Sequence, residues 1–429
     1  MIGFTTLLRT NRNYRFMWMG QVVSEIGDHF NNIAVFSLAL EHTKSGLVVS
    51  GVMLSHAIPA VLAGPIAGVL LDRVDRRRIM IVSDLIRFVI ALGFILSVHA
   101  SGNWMLYVFS ALLMFASPFF TSGRSSILPR IASQEELHAA NSLTQTTQWT
   151  TLTIGTFLAG FSVMKFGYAG AFVFNALSFL ISAICIGQLR VPEGFTPRRR
   201  ELNETEVVRP WHEYAEGLRY MKTSPLILGI ALVGVGWASG GGASQILFSV
   251  FGELVFHRGP DGISIIWGCA GIGLLLGAAF AYTVARKFSF SAYKTSVVFC
   301  YIVHGGAYIL FSQMPTIQWA CVFIALSRAA VGVSSISNTS QLLRHIPDEF
   351  RGRVFSTLES MTWSTMMISM LAAGIASQYF DPRAIGACAG ALSSTTAVFW
   401  GWANWTGRLP EPAVTETADE LELHGDPVV

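Results

Sequence analysis

Long apolar runs alternate with short charged patches along this chain, and the runs are long enough to cross a bilayer. An α-helix needs about 20 mainly apolar residues to traverse the hydrocarbon layer. Runs of that kind predict helices over 15–40, 46–71, 78–99, 103–126, 139–163 and 167–189, then over 225–252, 261–286, 292–313, 315–342, 353–380 and 382–406. A polar stretch, 190–224, separates the two sets. It carries Pro192, Pro197 and the run Arg198-Arg199-Arg200, with a short amphipathic helix predicted near 211–221. The pattern predicts an all-α membrane protein of twelve transmembrane helices: a six-helix bundle over 1–190, a linker over 191–224, a second six-helix bundle over 225–408 and an acidic, proline-containing tail over 409–429.

Composition supports this division. The chain is 52% hydrophobic and 13% charged, against roughly 25% charged residues in a soluble domain. The placement of charge gives a direction. With the N-terminus inside and the spans alternating, 23 Lys and Arg residues fall on inside segments and 4 (Lys44, Lys165, Arg258 and Arg383) on outside ones, while Arg87 and Arg328 stay within spans. A wrong number of spans scrambles such a skew, so it argues for twelve as well as for cytoplasmic termini in a plasma (inner) membrane. Arg9, Arg12 and Arg15 precede an apolar run as in a secretory signal, but the run extends past Ala39 and contains Glu25 and Asp28, so it is read as an uncleaved first helix. The net charge of +3 and the lack of a basic stripe exclude nucleic acid as a partner. Cys185, Cys269, Cys300, Cys321 and Cys388 sit in apolar segments without a CxxC pair and are read as small buried hydrophobes, so no metal or cofactor site is expected.

The halves resemble one another. After the fourth span comes Leu128-Pro129-Arg130, then Gln134-Glu135-Glu136; after the tenth comes Leu343-Arg344-His345, then Pro347-Asp348-Glu349. This fits a parallel internal repeat. Between the second and third spans lies Gly68-Val69-Leu70-Leu71-Asp72-Arg73-Val74-Asp75-Arg76-Arg77-Arg78. It resembles the signature loop of the major facilitator superfamily, with Asp75 where that family commonly has glycine. Asn13-Tyr14-Arg15-Phe16, Gly20-Gln21 and Ile26-Gly27-Asp28 resemble the efflux branch that holds macrolide exporters and the enterobactin exporter, as do Ala140-Asn141-Ser142 and Arg351-Gly352-Arg353-Val354-Phe355. The fifth span, with Gly155-Thr156-Phe157-Leu158-Ala159-Gly160, has Thr156 where antiporters of the superfamily often carry proline. The resemblance implies two pseudo-symmetric six-helix bundles with a substrate cavity between them, lined by the first, fourth, seventh and tenth helices. It also implies a cytoplasmic latch at Asp72 and Arg73. Arg76 to Arg78 have a plainer explanation, as charges that fix topology.

Ionisable groups inside a span cost about 2.5–3.5 kcal/mol on insertion scales, so each calls for a reason. Gln21, Glu25, Asp28 and Asn32 follow helical spacing and form one polar stripe, which must face a cavity or a partner helix. Arg328 shares a face with Gly332, Ser335 and Thr339. Glu25, Asp28, Asn32 and Arg328 are the candidates for proton coupling and the substrate cavity, with Asp28 or Glu25 expected to oppose Arg328; a fixed ion pair holding the bundles in register is the alternative. Gly68, Asp72, Arg73, Arg76, Asp84, Arg87, Arg124 and Glu359 are expected to form a cytoplasmic gate. Gly240, Gly241 and Gly242 predict an unwound hinge in the seventh span, with close packing as the alternative. Trp149, Trp237, Trp363, Phe119 and Phe120 are candidates for an apolar cavity wall. His56 and His304, in mid-span, are read as packing residues.

These features predict a secondary transporter, not an enzyme: no nucleophile–base constellation or nucleotide-binding loop is present. The expected activity is proton-coupled export of a small amphipathic molecule (a drug, macrolide or siderophore) by alternating access, with protons and the lipid bilayer as partners and no oligomer required. A lysophospholipid or lipid transporter of the same superfamily, and a transport-inactive sensor or scaffold, are the alternatives.

Overall fold

The computed structural model describes residues 3–100, 102–190 and 210–411. Among them the chain is helical throughout. A short α1 (Phe4–Thr10) leads into α2 (Arg12–Thr43), α3 (Gly46–Arg73), α4 (Arg76–Val98), α5 (Trp104–Ile131) and α6 (Gln134–Gly187). After α7 (Pro210–Thr223) come α8 (Pro225–Val250), α9 (Gly259–Thr283), α10 (Phe290–Gln313), α11 (Ile317–His345), α12 (Asp348–Ala376) and α13 (Pro382–Trp405). The 191–209 part of the expected linker and the tail from 412 lie outside the described residues.

Nine of the described helices are long and apolar enough to cross a membrane. The 54-residue α6 is one of them, and at 1.5 Å per residue it is far too long for a single crossing. Gly167, with φ 70° and ψ 179°, breaks it into the two limbs that the sequence predicts on either side of that position. The long helices α2 and α12 fall outside the nine; both carry polar and charged side chains along their length.

Local chemistry fixes the ends. The Asn11 side chain accepts from the Tyr14 N–H at 2.9 Å and starts α2. Its Nδ2 donates to Glu136 Oε2, which also accepts the Ser133 N–H in a capping box that starts α6. One asparagine thereby ties two helix starts together. Lys44, at φ 52°, ends α2 in the left-handed conformation.

Helices α2 to α6 pack into one bundle and α8 to α13 into the other. The bundles join chiefly through two helix pairs, α3 with α12 and α6 with α9, with smaller contacts of α2 with α8 and α9 and of α3 with α8. Both seams are built from small residues. Gly46 and Gly374 lie against Ser377 and Ser50, and Gly160, Gly268 and Gly271 lie against Ser264 with Pro260, Phe157 and Thr153. Two hydrogen bonds cross between bundles here: Ser50 Oγ donates to the Met370 carbonyl at 2.7 Å, and Ser37 Oγ to Glu253 Oε2 at 2.9 Å. All these contacts lie towards the end that carries Lys44, Arg258 and Arg383. At the other, arginine-rich end Gly64, Gly68 and Gly352 have open space within 4 Å of where a side chain would begin. The bundles thus meet at one end and part at the other.

The unwinding anticipated at Gly240–Gly242 is absent: α8 runs unbroken through all three. Close packing explains them, since Gly240 abuts the Ala389 carbonyl of α13 and Gly242 the Met366 carbonyl of α12. The irregularity lies one step further on, in a π-helical turn over Phe251–Val255 closed by the Phe256 N–H to the Phe251 carbonyl at 2.8 Å. The amphipathic linker helix forms as α7 and docks on α12, with Tyr220 stacked on Phe350 at 4.6 Å and Glu216 paired with Arg353 at 3.2 Å.

In a background lacking the five native cysteines, a Gly46→Cys, Ser377→Cys pair cross-links under mild oxidation, because a β-carbon at Gly46 would lie about 3.0 Å from that of Ser377, within a small shift of disulfide spacing. A Gly68→Cys, Gly352→Cys pair stays unlinked in the same state. Gel mobility after oxidation checks both.

Candidate functional site

A cavity of about 280 Å³ lies between the bundles, beneath the α6–α9 seam. One bundle contributes Trp149 and Leu152 of α6; the other contributes Trp237, Gln245 and Phe248 of α8, Trp267 of α9, and Arg328, Gly332 and Ser335 of α11. Arg328, Gly332 and Ser335 share a face because they are spaced four and seven residues apart, as the sequence predicts. Above the cavity, Gly271 against Thr153 and Gly268 against Phe157 shut it off from the joined end.

Arg328 is 6% exposed. One of its Nη atoms donates to Ser244 Oγ at 2.7 Å, and the guanidinium lies 5.0 Å above the Phe248 ring. The expected opposition to Asp28 or Glu25 is not present in this state. Glu25 is held within its own bundle: Gln21 and Arg124 donate to Oε1 at 2.8 and 3.4 Å, and Thr151 donates to Oε2 at 2.8 Å. The polar stripe of α2 continues this contact with α6, where Trp18 Nε1 donates to Thr147 and the Tyr14 hydroxyl to the Ala140 carbonyl. Asp28 and Asn32 are half-buried. Among the described residues neither has a hydrogen-bond partner, and the charges acting on Asp28 are those of Arg87, Glu25 and Asp84. Asn31, one residue off the predicted stripe, is fully buried with both ends of its amide unpartnered; the helical spacing that marks the stripe passes it by.

The residues assigned to one gate fall in separate places. Asp84 and Arg87 form an ion pair inside the first bundle, 0% and 3% exposed. The guanidinium is sandwiched between Phe120 and Phe179 at 4.7 and 4.4 Å. Arg124 belongs to the Glu25 group. Arg76 donates to the Ser126 carbonyl at 2.8 Å, and Arg77 to the Ile186 and Gly187 carbonyls, so the basic cluster ties the start of α4 to the ends of α5 and α6. Those carbonyls are the orphan acceptors of helix ends, which favour cations. Gly68, Arg73 and Glu359 are exposed, and the Asp72 side chain lies outside what is described. They join neither the buried pair nor the Glu25 group: Gly68 and Arg73 lie on the outer face of their own bundle, and Glu359 is in the other bundle.

Of the apolar wall candidates, Trp149 and Trp237 line the cavity. Phe120 instead covers Arg87, and Trp363 is exposed. Gln245, Phe248 and Trp267 line it too; α8 and α9 are apolar all round, and no periodicity marks their inner faces. His304 is buried and meets Ser327 Oγ at 2.7 Å, while His56 lies 6.2 Å from the Phe36 ring.

Removing one partner of the buried pair leaves an uncompensated charge, so Asp84→Ala lowers stability by about 3 kcal/mol. A double Asp84→Leu, Arg87→Met variant recovers most of it. Thermal unfolding followed by fluorescence checks both, with the exposed Arg78→Ala as control.

The family model described as Major Facilitator Superfamily matches residues 17–368. Among curated relatives, the uncharacterized MFS-type transporter YfiS of Bacillus subtilis is 26% identical over 87% of this chain and 88% of its own. Macrolide efflux protein A of Streptococcus pyogenes is 24% identical over 86% and 89%, and the multidrug efflux pump Tap of Mycolicibacterium fortuitum 25% identical over 81% and 85%. Among solved structures, an auto-inhibited POT family peptide transporter superposes with a TM-score of 0.70 at 13% identity, covering 95% of this chain and 98% of that one. The two-bundle architecture, the cavity between the bundles and the family match lead to one conclusion: the chain belongs to the major facilitator superfamily and is a multi-pass membrane transporter, not an enzyme.

Proposed function

We propose that this transporter exports a small amphipathic molecule across the plasma membrane in exchange for protons. The observation that carries the reading is the inter-bundle cavity, aromatic-walled, shut at one end and set beside a first bundle whose Asp28 carboxylate has no hydrogen-bond partner among the described residues. The arginine-rich end, with both termini, lies in the cytoplasm. The state described is then the one that admits substrate from inside. Rocking the bundles about the cavity opens the α3–α12 and α6–α9 seams and closes the Gly68–Arg73 loop against the second bundle. That closure assigns Asp72, Arg73 and Glu359 to the cytoplasmic gate of the opposite state, where the present one leaves Arg73 and Glu359 exposed. Relatives named for macrolide and multidrug efflux support the direction.

Asp28 is the proposed proton carrier. Glu25 is held in place by three donors, whereas Asp28 has no such partners among the described residues and is free to exchange a proton as the field of Arg87 and its neighbours changes. A lipid-moving reading needs a lateral opening from the cavity to the bilayer. The α9–α11 wall offers none: Gly273 and Gly277 abut the Ala325 and Ala329 carbonyls, which separates the cavity from the apolar groove on the outer side of that pair.

In everted vesicles supplied with labelled erythromycin and labelled 2-naphthylacetate, an acidic lumen drives accumulation of a transported compound. Asp28→Asn lowers that accumulation by about tenfold or more and leaves gradient-free exchange intact. Full gradient-driven accumulation in Asp28→Asn would remove the proton role from this residue. Accumulation indifferent to collapsing the proton gradient would end proton coupling altogether.

A further inference from the structure

Resting on the reading of the inter-bundle cavity as the substrate site, we infer that this cavity selects a molecule carrying an anionic oxyacid head, such as a carboxylate, on an aromatic or otherwise flat apolar body.

Donors at this cavity outnumber the acceptors that pair with them. Arg328 carries five N–H donors and stays protonated in proteins. It is buried, borders the cavity, and has one hydrogen bond, to Ser244. Among the described residues no Asp or Glu pairs with it; its ionisable neighbours are Tyr308 and His304. The two indoles of the second bundle add to the excess, since Trp237 Nε1 and Trp267 Nε1 are buried donors without an acceptor. A buried cation and unpaired donors are costly unless something supplies negative charge and lone pairs. The carboxylates of the first bundle are engaged elsewhere or belong to a separate cluster: Glu25 has Arg124, and Asp84 has Arg87.

The guanidinium fork matches a carboxylate or phosphate in a two-point contact. Trp149, Trp237, Trp267 and Phe248 offer flat apolar surface on both sides of it. A cationic drug finds the opposite of what it needs here, a fixed positive charge and donors. The polar set therefore specifies the sign of the head group, and the aromatic walls specify the body.

The test is a matched series with one ring system and three heads: 2-naphthylacetate, 2-naphthylacetamide and 2-naphthylethylammonium. Each is titrated, radiolabelled, against the full chain in zwitterionic nanodiscs by equilibrium dialysis, with the change in tryptophan fluorescence recorded alongside. The anion is expected to bind about tenfold or more tighter than the amide, and the ammonium more weakly still. Arg328→Gln removes the preference while leaving amide affinity within twofold or so, and Arg328→Lys keeps part of it. Trp267→Phe keeps the ring, loses the N–H and lowers anion affinity alone; it serves if Arg328→Gln fails to fold, and the wild-type series stands without any variant. Equal binding of all three compounds, or tighter binding of the ammonium, overturns the anionic preference but leaves the cavity as the substrate site. Binding that survives Trp149→Ala and Trp237→Ala unchanged, with no tryptophan response, overturns the assignment of this cavity itself.

Discussion

The bundles touch where side chains are smallest. At the α3–α12 seam serine meets glycine, and at the α6–α9 seam glycine meets serine, threonine and one phenylalanine edge. In a bilayer no hydrophobic drive pulls helices together, because lipid tails are as apolar as leucine; close backbone approach and the dispersion it permits must do so. These seams decide much of the rest. They set which end is shut, they roof the cavity at Thr153 and Gly271, and they hold the bundles near enough for Ser37 and Ser50 to bond across. A seam made of small residues is also one that can separate without leaving large unfilled holes.

The same medium sorts the polar groups. With no water in the hydrocarbon layer, a charge inside a bundle must be satisfied internally or face a cavity. Asp84 with Arg87 follows the first rule, and Glu25, with donors on both oxygens, does too. Their positions deep in one bundle suit parts that move as a rigid body. Asp28 and Arg328, one in each bundle, differ from these in having no ion-pair partner among the described residues. Rigid halves whose interior charges are paired, with an unpaired charge at the cavity between them, suit a rocking mechanism: a ligand or proton can then shift the balance between states, because it contributes unequally to the two.

Much of this was legible in the sequence. Apolar length located every long helix to within a few residues, Gly167 included, because the need to cross about 30 Å of hydrocarbon overrides local propensity. The α2 stripe was legible as well, since four polar residues at helical spacing cannot face lipid. Partners across the interior were not. Spacing on α2 shows that Glu25 points inward, but whether it meets Arg124 or Arg328 depends on which bundle wall stands opposite. The glycines of α8 misled for a related reason: low helix propensity is a local signal, and packing against the Ala389 and Met366 carbonyls overrides it. The gate residues were grouped because they share a depth in the membrane. Depth is one coordinate of three, and Asp84 and Arg87 turn to the bundle interior while Arg73 turns out of it.

A salt bridge from Asp28 to Arg328 across the cavity would itself oppose transport. Breaking a buried pair by removing one partner costs about 3–5 kcal/mol, so a substrate competing for Arg328 would have to supply that much before any net binding. Under the exchange proposed above, leaving the two charges apart in the open state avoids that penalty and lets a proton act at one and a head group at the other. Coupling then needs no direct contact between them. Under the proposed mechanism it needs only that closure of the bundles be less favourable when the two sites carry the wrong total charge, since charges in a poorly screened interior interact far more strongly than in water.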